Sequence, residues 1–122
     1  MMNPQGVLQE PKRLLLTTTS VTDVLTMAAA EKQSFTVTTA IFANEDSTDR
    51  TVTLYYTENT TDTTLYIGTC GAGQSLEIPL QVKMMAKENA RKIRAKASAG
   101  NVVTVTIIYT QSSQQTPDQS AG

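Results

Sequence analysis

The stretch from Val102 to Thr110 reads Val-Val-Thr-Val-Thr-Ile-Ile-Tyr-Thr, and much of the chain is written in the same way. Short runs alternate apolar and polar side chains, a period of two that suits a half-buried strand. Such runs occupy residues 13–19, 23–28, 34–43, 51–57, 65–70, 75–82, 92–98 and 102–110. Within them Phe35, Val37, Thr39 and Ile41 share one expected face, as do Val52, Leu54 and Tyr56. Leu76, Ile78, Leu80 and Val82 share another, then Ile93, Ala95 and Ala97, then Val103, Val105, Ile107 and Tyr109. Turn signals separate the runs: a polar cluster over residues 44–49, a second polar loop from Glu58, Gly71-Ala72-Gly73, and Gly100-Asn101, which reads as a hairpin. Pro79 marks its run as an edge strand or one with a break. About eight strands at close spacing predict an all-β fold, a single antiparallel β-sandwich. Threonine, 21 of 122 residues, points the same way because it is β-branched. Residues 83–91 stay open between a loop and a helical turn, with Met84, Met85, Ala86 and Ala90 in apolar spacing.

A chain of 122 residues has the size of one domain. The sandwich is expected over residues 13–110. Residues 1–12, with Pro4, Gly6 and Pro11, read as an extended N-terminal arm. Residues 111–122 form a polar C-terminal tail that cannot bury apolar area. No basic segment followed by an apolar run opens the sequence, and no stretch approaches the roughly 20 apolar residues of a membrane helix. Neither a secretory signal nor a membrane span is expected. The lone cysteine, Cys70, fits synthesis in a reducing cytoplasm.

Composition removes most chemistry. Without histidine there is no Ser-His-Asp or Cys-His catalysis and no histidine-ligated metal. Cys70 has no base to make it a thiolate and reads as a strand residue. Glu45, Asp46 and Asp49 share a loop, but the glycine and glutamate positions of a calcium hand are unmatched, so a solvated turn is the simpler reading. Whether residues 45–49 hold a cation stays open. Glu58 and Asp62 could pair as glycosidase carboxylates only beside sugar-stacking aromatics, and the chain has no tryptophan. Asn59-Thr60-Thr61 matches a glycosylation sequon, idle without secretion. No cofactor and no enzymatic activity are expected.

Net charge is −1, which does not suit a nucleic-acid binder. The charge is unevenly spread, however. Lys83, Lys87, Arg91, Lys92, Arg94 and Lys96 face only Glu88 within residues 83–96. Three readings apply to this basic run. It can contact phosphates, although it lacks the aromatics that single-strand binders add. It can dock on an acidic protein surface. It can also be a solvated strand face that discourages edge-to-edge pairing. The six residues are therefore the candidate partner-docking set, and direct nucleic-acid contact is not expected.

The order of features resembles a known family. A strand ending in Ala40-Ile-Phe-Ala-Asn44 leads to Asp49-Arg50-Thr51-Val52-Thr53-Leu54-Tyr55. Then come Gly71-Ala-Gly-Gln-Ser-Leu-Glu-Ile78, Lys92-Ile-Arg-Ala-Lys-Ala-Ser98 and Val102-Val-Thr-Val-Thr-Ile107. Over residues 34–110 this resembles small tailed-bacteriophage virion proteins built on a single β-sandwich. The chain departs at Glu88-Asn89-Ala90, where that family more often has a tight Gly-Asp turn. The resemblance implies a non-enzymatic virion structural protein made in the host cytoplasm, most suitably a capsid decoration (cement) protein. Its partners would be the major capsid protein or other virion structural proteins, and it would be a homo-oligomer on the particle. A head-tail connector, tail or fibre-base component is the alternative. A carbohydrate-binding or host-adhesion module is a further one, disfavoured by the few aromatics.

Overall fold

Each of the eight alternating runs forms a strand, and a short ninth strand precedes them in a computed structural model describing residues 7–29, 33–85 and 88–113. In chain order these are β1 Val7–Leu8, β2 Lys12–Leu16, β3 Thr22–Met27, β4 Gln33–Asn44, β5 Arg50–Glu58, β6 Thr61–Cys70, β7 Ser75–Met84, β8 Arg91–Ala97 and β9 Val103–Ser113. The pairing is nested. β5 pairs with β6, β4 with β7, β3 with β8 and β2 with β9, all antiparallel. The chain is thus one long hairpin whose tip lies at Asn59 and Thr60. Asn59 takes the left-handed φ of 59° that such a two-residue loop favours. Rolling the hairpin adds two more pairings, β4 with β9 and β5 with β8.

Two sheets result. Sheet A runs β2–β9–β4–β7, with β1 beside the far end of β9, and sheet B runs β3–β8–β5–β6. This strand order is that of a double-sheet jelly roll. The expected β-sandwich is observed, in its rolled form.

The core lies between the sheets. Leu16, Leu25, Met27, Phe42, Leu54, Met84, Ile93 and Ile107 are almost fully buried there. Ala40, Ala95 and Ala97 are buried with them, small side chains that let the facing strands approach. Burying a leucine or phenylalanine contributes about 1.5–3 kcal/mol, so this cluster supplies most of the drive to fold.

Several details depart from the sequence reading. In β4 the inward set is Phe35 and Val37, then Ala40, Phe42 and Asn44, because the register shifts between Val37 and Thr39. Thr39 and Ile41 therefore face outward. The cause is local: Pro79 of β7 lies opposite Thr39 and has no N–H to donate. Thr38, the residue out of register, donates its hydroxyl to the Ile108 carbonyl at 3.3 Å. Pro79 does sit in an edge strand, as its presence predicts.

Gly100-Asn101 is not a hairpin loop, since β8 and β9 belong to different sheets. It is a corner. A Cβ on Gly100 would lie 2.5 Å from the Thr17 carbonyl oxygen, so only glycine allows this approach. The Asn101 N–H donates to Leu16 O at 2.8 Å and ties the corner to β2.

Strand pairing also extends past the expected limits of the body, starting at Val7 and ending at Ser113, while β2 stops at Leu16. No helical turn forms among the described residues of 83–91. Residues 1–6 of the expected arm, residues 114–122 of the expected tail, and Ala86 and Lys87 lie outside the described residues.

Candidate functional site

The basic run divides between two opposite faces. Lys83 sits on β7, at the margin of sheet A, opposite Thr36. Lys87 is outside the described residues. Arg91, Lys92, Arg94 and Lys96 belong to β8, which is flanked by β3 and β5. A central strand has no free edge, so these residues neither guard an edge nor line one.

Three of the four are engaged. Lys92 Nζ donates to Asp23 at 2.9 Å, and Arg94 Nε donates to the same carboxylate at 2.7 Å. Arg94 also reaches Asp62 at 3.3 Å, and Asp62 accepts from the Thr57 hydroxyl. Arg91 lies 3.4 Å from Glu58. The outer face of sheet B therefore carries a charge network that spans all four strands, from Asp23 on β3 to Asp62 on β6. Lys96 lies opposite Thr53, which is buried.

Burial of the Asp23 carboxyl would raise its pKa. The Lys92 hydrogen bond, with the charges of Lys92 and Arg94, outweighs that and leaves it below the ordinary 3.8. A carboxylate held low stabilises the fold above its unfolded pKa and loses that contribution as pH falls through the folded value. Asp23→Asn should therefore cost under about 1 kcal/mol near neutral pH, because the group is well exposed to water. The variant should show a shallower loss of stability than the wild type on going to about pH 3, checked by urea unfolding at both pH values.

The second conspicuous cluster is a buried corner. Asn44 ends β4 with 2% exposure. Its amide donates to the carbonyls of Thr48 at 2.9 Å, Cys70 at 3.0 Å and Gly71 at 3.3 Å. Its own oxygen accepts from the Asp46 N–H at 2.9 Å. Asp46 in turn binds Arg50, and Asp49 accepts from the Ala72 N–H at 2.9 Å. Arg50, first in order, and backbone N–H groups hold the Asp46 carboxyl below its ordinary pKa. The loops after β4 and after β6 are laced together here. Asp46 and Asp49 of loop 45–49 are thus spent on Arg50 and backbone amides. Among the described residues no cluster of side chains is arranged to hold a metal ion.

Cys70 is buried in the same corner, within 3.5 Å of Phe42 O and 3.4 Å of Gln74 O. Burial pushes its thiol pKa up, against a smaller lowering by an Asn44 hydrogen bond. A buried protonated thiol is a poor nucleophile. Glu58 and Asp62 are occupied by Arg91 and Arg94.

What remains is a face that the sequence reading did not single out. The outward positions of the two central strands of sheet A are Thr36, Thr39, Ile41 and Ala43 on β4, facing Thr110, Ile108, Thr106 and Thr104 on β9. None is charged. The flanking strands continue this surface with Leu8 and Leu15, which are 68% and 43% exposed. Charge returns only at the margins, as Arg13, Glu77 and Lys83. The molecule thus has one ionic outer face and one neutral face of threonine and aliphatic side chains. The bulge at Thr38 hid this face, since it turns Ile41 outward. The regular Thr104, Thr106 and Thr110 of β9 were the available signal.

No protein-family model and no curated protein matches the chain. Solved structures share its fold. The Drosophila NLP core, studied for pentamer formation and histone binding, aligns with a TM-score of 0.53 and 15% identity, over 84% of this chain and 98% of that one. A Bacillus endospore appendage protein, of a family of disulfide-linked pili, aligns with a TM-score of 0.52 and 8% identity, over 94% and 96%. A protein of the T13 IBDV viral particle aligns with a TM-score of 0.50 and 8% identity, over 90% of this chain and 31% of that one. At these identities the likeness is one of fold. No helix among the described residues is long and apolar enough to cross a membrane. The chain is an all-β sandwich whose fold neighbours include structural and oligomer-forming proteins, a viral capsid protein and a pilus protein among them.

Proposed function

We propose that the protein is a non-enzymatic structural component of a tailed-bacteriophage virion that decorates the head, seating the neutral outer face of sheet A on the major capsid protein. The contrast between the two outer faces carries this reading. A face without charge at its centre loses little solvation when covered, whereas Lys92 and Arg94 on the ionic face are already paired with Asp23 and Asp62 within the chain. Lys83 and Arg13 border the neutral face and can set its orientation on a lattice. The engaged carboxylates and the buried thiol leave no arrangement suited to catalysis among the described residues. The resemblance over residues 34–110 and the viral-particle fold neighbour support a virion role.

The pentamer- and pilus-forming fold neighbours favour a second reading, a neck, tail or fibre-base part built as a ring or column. Immunogold labelling of intact particles separates the two. Label scattered over the head, together with weaker heads under osmotic shock when the protein is missing, is the expected result. Label confined to neck, tail or tip would replace the decoration reading with the second one. Clean particles without any label, from an antibody that binds the native protein, would overturn both.

A further inference from the structure

Strand edges present unpaired N–H and C=O groups, and proteins guard them with proline, lysine, bulges or short length. Four margins bound these two sheets, and three are guarded. β7 carries Pro79, Lys83 and a register break opposite Thr38. The β1 and β2 margin is interrupted by residues 9–11, including Pro11, and continues into Lys12 and Arg13. β3 has only six residues, holds Asp23 and breaks register between Asp23 and Leu25.

β6 is different. It is ten residues long and has no proline and no basic side chain. Its one charge, Asp62, is engaged by Thr57 and Arg94. Its one guard is a bulge at Leu65, and beyond it the segment from Tyr66 to Cys70 pairs regularly with β5 and carries none. Ile67, in that segment, is 63% exposed, although it lies among the most aliphatic positions of the strand.

We infer that β6 is a self-association edge, pairing antiparallel with β6 of a second copy about a two-fold axis near Ile67. The strand suits its own copy. A register centred on Ile67 sets each Tyr66 opposite Gly68 of the other chain, inside the segment that pairs regularly with β5. The two Asp62 carboxylates fall at opposite ends, so no like charges meet. Within each chain the Tyr66 ring already lies over Gly68, where a Cβ would come 2.3 Å from the Tyr66 hydroxyl oxygen, and it packs against the core, so the contact between copies rests on strand backbone and on the exposed Ile67. An edge of one strand buries less than the roughly 800 Å² per partner of a stable complex. The contact is therefore weak for a free pair and gains strength where many copies are held side by side. It uses sheet B and is independent of the surface that sheet A offers to the virion.

The test places cysteine in the full-length chain at Ile67 or, as a control on the guarded β7 edge, at the exposed Gln81. Cys70 stays in both, since it is buried. On mild oxidation Ile67→Cys should form disulfide-linked dimers about tenfold faster than Gln81→Cys at equal concentration, since pairing raises the effective thiol concentration. In sedimentation runs over rising concentration, the wild type should shift toward dimer and Ile67→Lys should not. Equal cross-linking rates for the two cysteine variants would overturn the inference. So would a wild type that stays monomeric while Ile67→Cys cross-links no faster than the control.

Discussion

Asn44→Ala should lower the unfolding free energy by about 3 kcal/mol and the melting temperature by roughly 10 °C. The reason lies in what the amide leaves behind. Asn44 supplies donors to three backbone carbonyls and an acceptor to one N–H, in a corner where it is almost completely buried. A buried carbonyl stripped of its donor costs about 1–3 kcal/mol, and the Cys70 carbonyl has no water to turn to. Asn44→Asp should be worse near neutral pH, because a carboxylate would face the Cys70 and Gly71 carbonyls with no proton to give. Those neighbours would raise its folded-state pKa. The damage should therefore ease as pH falls through that raised value and return as pH rises through it. Thermal melts of both variants between about pH 4 and about pH 8 check the sign. A loss below about 0.5 kcal/mol for Asn44→Ala would show that the corner holds without its amide.

The other large effect concerns attachment. On the decoration reading, Thr106→Lys should weaken binding to particles about a hundredfold, because an unpaired charge would be trapped in the contact, and Thr106→Glu, opposite Arg13 on β2, should weaken it less. Both signs are needed, so that a counter-charge on the lattice cannot rescue both variants. Leu15→Lys, at a more exposed position, should have a smaller effect in the same direction. Lys96→Ala, on the opposite face, should leave binding within about twofold. Co-sedimentation of purified variants with stripped heads measures all four. Undiminished binding of both Thr106 variants would remove the neutral face from the contact.

Much of the architecture was open to reading because period-two patterns survive wherever a strand keeps its register. β9 and β8 are the clearest cases: Val103, Val105, Ile107 and Tyr109 are buried, as are Ile93, Ala95 and Ala97. β4 failed at one point because Pro79, some forty residues away in sequence, decides where its faces exchange. Loops were harder. Gly71-Ala72-Gly73 is the turn its glycines announce, with the Gln74 N–H bonded to Gly71 O and Gly73 at a φ of 67°, whereas Gly100-Asn101 turns a corner between sheets, since chemistry that permits a sharp bend does not say which strand the chain meets next. The pairing of the basic run was hidden for a related reason. Lys92 and Arg94 look unopposed in sequence because their carboxylates, Asp23 and Asp62, come from distant strands. The β9 half of the neutral face is legible from Thr104, Thr106 and Thr110, and the β4 half only after its register shift is known.

The nested pairing has a consequence for how the molecule is made. β9, the last strand described, is not a margin but the strand that joins β2 to β4 in sheet A. During synthesis β5 and β6 can zip first, then β4 onto β7 and β3 onto β8, each step closing a longer loop at a greater entropic cost. Until β9 leaves the ribosome, however, sheet A is two unconnected pieces and the side chains of Phe42 and Leu16 have no common wall. Emergence of β9 is thus the committing event: the two pieces of sheet A join only once Val103–Ser113 is available, and a chain cut before Val103 should not close the sandwich.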